Sequence, residues 1–200
     1  IIFGGATPLA NYNNIDVFTM ASGGNAIKFG ELITARKYAD TASNTTRALA
    51  AGGEGPSANL NSIEFVTIAT DGNGTDFGDI NSATGVGKSG SVSSATRGIF
   101  SGFYPASGGG QRMDFVTITS AGNAQDFGDI SGTPSQMGGT VSNATRGVFF
   151  GGYFVGSPNI SNSMEFITIT SKGNSSTFGD LASVGGNGII GVCDSHGGVC

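Results

Sequence analysis

The segment from Phe115 to Ile130, FVTITSAGNAQDFGDI, is written three more times in the same chain. It stands as FVTIATDGNGTDFGDI at 65–80, as FITITSKGNSSTFGDL at 166–181 and, more worn, as VFTMASGGNAIKFGEL at 17–32. The Asn of its Gly-Asn turn falls at Asn25, Asn73, Asn123 and Asn174, spacings of 48, 50 and 51 residues. A period in the range of roughly 20–50 residues constrains the fold more than any other feature, because each unit must be one supersecondary motif that buries its apolar face against its neighbours. A second block keeps step with the first: NTTRALAAGG (44–53), SATRGIFSGF (94–103) and NATRGVFFGG (143–152). IIFGG (1–5) is its truncated first copy, and DSHGGVC (194–200) its last remnant.

Each unit parses into four short strands. Strand B is the apolar run ending in small residues, as in RGVFFGG. Strand C is the MEFITITS-like segment, whose alternation predicts Phe and Ile on the face opposite Thr. A Gly-Asn turn leads to strand D, the TDFGDI segment, and a Gly/Ser-rich strand A such as GGTVSN leads through Asn-Ala-Thr-Arg into the next strand B. With 36 Gly, 14 Phe and few good helix formers, composition agrees with an all-β chain rich in tight turns. A helical solenoid needs a helical periodicity that is absent, and a β-helix or leucine-rich horseshoe has a shorter period. The expected fold is therefore a β-propeller of four repeats of about 49 residues, each a four-stranded antiparallel blade. The expected single domain spans 1–200, with units at 1–33 plus 186–200, 34–82, 83–132 and 133–183. In that division GIIGVCDS (188–195) supplies strand A to the first unit, with Val199-Cys200 overlapping the register of Ile1-Ile2; the alternative is four units of a longer array. The opening Ile-Ile-Phe, without an initiator Met, reads as a processed or partial chain.

Several function classes lose support. A net charge of −5 with no basic cluster argues against nucleic-acid binding. No apolar run is long enough for membrane insertion, and no signal peptide is visible. Cys193 and Cys200 read either as a pair across a hairpin or as two small half-buried residues. Gly85-Val-Gly-Lys-Ser-Gly90 matches a nucleotide-binding spacing, but no helix pattern follows to receive a phosphate, so it reads as a loop. Asp71-Gly-Asn-Gly-Thr-Asp76 resembles a calcium loop, yet AGNAQD (121–126) and KGNSST (172–177) lose most of its carboxylates. It reads as a hairpin turn with Asn or Gly at positive φ. His196 is the single histidine, too few for a His-based metal cluster and without support for a Ser/His/Asp triad. The acids Asp16, Glu64, Asp114 and Glu165 could suggest the paired carboxylates of a glycosidase, but they recur once per unit, as do Glu31, Asp79, Asp129 and Asp180. Such spread predicts a structural role. Arg47, Arg97 and Arg146 recur likewise and are expected to bond acids or turn carbonyls of a neighbouring unit. No enzyme activity, cofactor or metal is expected.

The Gly-Gly that closes strand B (Gly4-Gly5, Gly52-Gly53, Gly151-Gly152), followed by the E-F-x-T-I strand, resembles the di-glycine motif of kelch repeats. Phe29, Phe77, Phe127 and Phe178 stand where that family has its Trp, and the resemblance covers all four units. More narrowly, TRGVFFGG…NSMEFITITSKGNSSTFGDL resembles kelch-like repeats in structural or tail-fibre proteins of tailed phages, particularly those of aquatic and cyanobacterial hosts. The resemblance implies a virion or extracellular location and an appendage rather than a defined activity. Copper oxidases of kelch architecture use two His ligands with Tyr, which one histidine cannot supply.

In such a blade the A–B and C–D turns emerge on one face and the B–C and D–A loops on the other. The repeated Asn-Ala-Thr-Arg and Gly-Asn segments are the former. The divergent segments 6–14, 54–61, 104–112 and 153–163, with 34–39, 82–89, 132–138 and 182–188, are the latter. Variation thus collects on one face, where recognition is usually built, although loops also drift without function. Tyr12, Tyr38, Tyr104, Tyr153 and Phe154 lie there beside Asn, Ser and Gln, a combination suited to stacking on sugar faces while amides and hydroxyls take the sugar hydroxyls. The expected partner is a host cell-surface glycan or protein. In the alternative, the chain is a structural spacer or decoration protein contacting other virion subunits, with Phe154 and Val155 buried at those contacts.

Overall fold

The structure is a computed structural model that describes residues 1–81, 90–101, 111–131, 134–154, 160–183, 189, 191 and 192, without the side chains of 134–137 and Phe154. Tyr104, residues 85–89 of the Gly85–Gly90 segment, Cys193, His196 and Cys200 lie outside the described residues.

Every element among the described residues is a strand. Unit one contains β1 (Ile2–Thr7), β2 (Ala10–Val17) and β3 (Ile27–Glu31). Unit two contains β4 (Asp40–Ser43), β5 (Arg47–Ala51), β6 (Ser62–Thr67) and β7 (Thr75–Asp79). Unit three contains β8 (Gly90–Ser93), β9 (Arg97–Ser101), β10 (Arg112–Thr117) and β11 (Gln125–Asp129). Unit four contains β12 (Pro134–Ser142), β13 (Arg146–Phe154), β14 (Ser163–Thr168) and β15 (Ser176–Asp180). Each unit is one antiparallel sheet whose strands pair in chain order, four strands in units two to four and three in unit one. The innermost strands β4, β8 and β12 contact one another in succession, consistent with a propeller-like arrangement. Of the segment assigned above as the first unit's strand A, the described Ile189, Gly191 and Val192 form no strand, and β1 pairs with β2 alone.

The core lies between units rather than within them. Ile15, Phe29 and Leu32 of unit one pack on Ala48, Ala50 and Val66 of unit two. Phe77 and Ile80 of unit two pack on Phe100, Val116 and Ile118 of unit three. Phe115, Phe127 and Ile130 of unit three pack on Phe149, Ile167 and Ile169 of unit four. No cluster and no strand pairing among the described residues joins unit four to unit one.

Strand C corrects one expectation. Phe65 and Thr67 share a face of β6, and Val66 and Glu64 occupy the other, because side chains alternate with a period of two. Phe therefore stands with Thr, not opposite it. Its ring is covered by the strand-D Phe of its own unit, edge-on at 5.9 Å for Phe65–Phe77 and 6.0 Å for Phe115–Phe127. From the other side the repeated arginine lies over it, at 4.4 Å for Arg47 and 4.8 Å for Arg97.

Candidate binding face

The two ends of the sheets use their side chains differently. At the turn end, Asn44 Oδ1 accepts the N–H groups of Thr46 and Arg47 at 2.9 and 2.8 Å, and Asn143 does the same for Thr145 and Arg146. Arg47 Nη1 then donates to Ile118 O at 3.0 Å, and Arg97 Nη1 to Ile169 O at 2.9 Å, so two of the repeated arginines hold turn carbonyls of the following unit.

The Gly-Asn turn is a second staple. Asn73, Asn123 and Asn174 each accept, at 3.0 Å, the N–H of Glu31, Asp79 and Asp129 on strand D of the preceding unit. The expected Asn or Gly at positive φ is Gly122 (155°) and Gly173 (152°) in two of these turns, whereas none of Gly72, Asn73 and Gly74 has it in the third. Around each Asn, backbone bonds close the junction, as in Gly122 N–H to Phe77 O at 2.6 Å and Ala124 N–H to Asp79 O at 2.8 Å. The approach is so close that a Cβ on Gly128 would lie 2.4 Å from Gly173 O.

The recurring acids fill the same kind of role one strand away. Glu64 accepts the N–H of Ile33 at 2.6 Å, Asp114 that of Asn81 at 3.0 Å and Glu165 that of Ser131 at 3.0 Å, each capping the exit from the preceding unit's strand D. Burial raises the Asp114 carboxyl above the usual carboxylate range, against the opposing pull of Arg112 Nε at 2.8 Å. These carboxylates are spread over successive junctions. No group of three or more His, Cys, Asp or Glu among the described residues is placed to hold a metal.

At the loop end, the junction of units one and two gathers two of the aromatic candidates. The 34–39 loop threads between the sheets. Gly5 N–H donates to Arg36 O at 3.0 Å and Arg36 N–H to Tyr12 O at 3.1 Å, while Lys37 and Glu54 exchange two backbone bonds. Beneath it, the buried Arg36 guanidinium donates to Gly52 O at 2.9 Å, to Ser62 O at 3.0 Å and to the Glu64 carboxylate. Burial lowers the Arg36 pKa, and the Glu64 charge opposes that shift. On this anchored loop Tyr38 is 50% exposed, and Tyr12 on β2, whose carbonyl accepts the Arg36 N–H, is 45% exposed. Lys37 Nζ lies 5.4 Å from the Tyr38 ring centroid and 3.1 Å from Glu54 Oε2.

Tyr38 has φ 58°, the only positive value for a non-glycine among the described residues. A bulky residue in that region costs on the order of 1 kcal/mol or more, and such strain persists where surrounding contacts impose it. Tyr153 sits on β13 at the position of Glu54 and bridges to Ile160 across its own loop, away from the Tyr12–Tyr38 junction in the chain. Phe154 ends β13, and its side chain, like all of Tyr104, is outside the described residues.

Sequence reasoning missed Arg36, Lys37 and Glu54. The signal was present: ARKYAD places two adjacent cations in a loop whose counterparts carry one, Lys88, or none. A separate cavity of about 560 Å³ runs along the unpaired edge of β1, between Ile1, Ile2 and Phe3 and the β4 residues Thr41, Ala42 and Ser43. Tyr12, Tyr38 and Tyr153 are not among its described lining residues.

No protein-family model matches the chain, and no curated protein matches it.

Proposed function

We propose that the chain is a non-enzymatic recognition module, a virion appendage that binds a host surface glycan or protein through its loop end. The observation that carries this reading is the division of labour between the two ends. Asn73, Asn123, Asn174, Arg47 and Arg97 of the repeated turns are engaged in bonds between units, whereas Tyr12 on β2 and Tyr38 on a loop held by a buried guanidinium stand half-exposed. Rigid aromatic faces flanked by Lys37, Glu54 and the Asn11 amide can stack on a sugar ring and bond its hydroxyls, or dock a polar peptide. The virion placement rests on the resemblance of the repeats to kelch-like phage proteins. A second reading, a spacer between virion subunits, draws on the apolar end faces, where Phe178 is 51% and Met20 85% exposed.

The test is binding of the chain to fractionated surface polysaccharide and protein from candidate aquatic bacterial hosts, beside Tyr12→Ala and Tyr38→Ala. Saturable binding weakened at least about tenfold by either substitution supports recognition. A folded chain that binds no fraction favours the spacer.

A further inference from the structure

The junction between units repeats one arrangement three times, and units one and four each present half of the same arrangement on an exposed face. The trailing half is strand D: its Phe ring, the carbonyls on either side of the following Gly, and the N–H that receives the Asn. Phe29, Phe77 and Phe127 fill this half at 5%, 2% and 2% exposure. Phe178 on β15 is 51% exposed, and only Met164 Cε, at 3.6 Å, comes near the Cβ position of Gly179. At Gly30, Gly78 and Gly128 that position is filled by the next unit's backbone, within 2.6 Å.

The leading half is the opposite sheet face with its Gly-Asn turn. In unit two it consists of Ala50, Val66 and Ile68, the last 37% exposed; in unit three of Phe100, Val116 and Ile118, and in unit four of Phe149, Ile167 and Ile169, these six at 3% exposure or less. Repeat alignment through the Gly-Gly and Gly-Asn positions makes Ile2, Phe18 and Met20 their counterparts in unit one, and these are 49%, 48% and 85% exposed. Asn25 is the counterpart of Asn73, Asn123 and Asn174 in this alignment.

Each bare half is written with the residues that complete the other. We propose that the unit-four face (Phe178, Gly179, Asp180) is an interface for the unit-one face (Ile2, Phe18, Met20, Asn25) of a second copy of this chain, joined head to tail. The two faces of a single chain are both exposed, so they do not cover each other, and the partner chemistry is that of the three junctions already formed. Asn25 Oδ1 of one copy would accept the Asp180 N–H of the other, as Asn174 accepts that of Asp129. Past β15, a Cβ at Gly191 would lie 2.4 Å from Val141 Cγ1 and 2.7 Å from Phe150 Cζ, so the chain's own tail runs hard against β12 and β13. Such an interface is heterologous: two copies close into a ring if the rotation allows, and otherwise the assembly extends.

The experiment measures mass by light scattering across a hundredfold concentration range for the unmodified chain, Phe178→Lys and Met20→Lys. Both substitutions fall on exposed side chains, and unchanged urea midpoints would show that the variants remain folded. The expected result is concentration-dependent association, weakened at least about tenfold by either charge. Mixing the two variants should restore one heterodimer, because each retains the half that the other has lost. A mass of one chain at every concentration, or association that neither lysine alters, would overturn the proposal. So would cysteines at Asn25 and Asp180, in a Cys193→Ser, Cys200→Ser background, that cross-link only within one chain.

Discussion

Strand D of unit two reads TDFGDI and strand D of unit four STFGDL, and the two sit in different surroundings. Phe77 is buried between Phe65 of its own sheet and the apolar face of unit three. Phe178 meets Phe166 edge-on at 6.1 Å and leaves its other side to solvent. The same motif is thus a core element in one place and a surface in the other. In a stack of this kind, stability belongs to the junctions between units as much as to the units themselves.

The sharpest way to break the comparison is to delete the ring at both places. Phe77→Ala removes a fully buried ring and leaves a cavity between two sheets, and should cost about 3–5 kcal/mol. Phe178→Ala should cost about 1 kcal/mol or less at concentrations where the chain is a single copy, since half of that ring is then wet. Urea denaturation of the two variants decides the matter; equal losses would mean that unit four carries a neighbour at that face.

Gly128 and Gly179 refine it. Their φ values, 143° and 152°, are nearly alike, so Ala meets similar backbone strain at both. Only at Gly128 would the added Cβ also strike a carbonyl, Gly173 O at 2.4 Å. Gly128→Ala should therefore be the more destabilising by about 2 kcal/mol, a difference that isolates the contact between sheets from the conformational term.

How far this was legible depends on where each residue's partner lies. The strand order of units two to four follows from local pattern, which the repeats multiplied, whereas the 6–14 segment, expected as a loop, carries parts of β1 and β2. The roles of Asn73, Asn123 and Asn174 did not follow from that pattern, because their partners are 42–45 residues away on another sheet. A residue invariant across repeats invites a local turn explanation, although a partner one period away would keep it just as constant. The placement of Phe with Ile failed for a simpler reason: apolar residues were assigned to one face, whereas each sheet packs on both. Arg36 occurs once, so no repeat drew attention to it, and only the structure shows that it anchors the Tyr38 loop.

Arg97 and Arg146 carry the comparison to the turn end. Both lie over a Phe ring, at 4.8 and 4.7 Å, but Arg97 also bonds Ile169 O in the following unit. Arg97→Ala should lower stability by about 1–2 kcal/mol and Arg146→Ala by about half as much, read as shifts in melting temperature. Neither should alter binding at the loop end. Lost binding with an unchanged melt would reverse the assignment of the two ends.

The smallest effect is expected at Asp114. Burial raises its folded pKa, with Asp126 adding to the rise and Arg112 and the Asn81 N–H opposing it. A carboxyl whose folded pKa exceeds its unfolded value binds protons more readily in the native state. Its ionisation therefore subtracts from stability as pH rises through the window between the unfolded value and the raised folded one, and acidification through that window restores the loss. Asp114→Asn keeps an acceptor for the Asn81 N–H and removes the titration. Stability of the variant, followed by urea midpoints from pH 7 to pH 4, should lack the small relative gain on acidification that Asp114 gives the unmodified chain. A variant whose acid-side slope matches the parent would show that Arg112 keeps this carboxylate ionised in the fold, and that the cap on unit two is held by charge rather than at its expense.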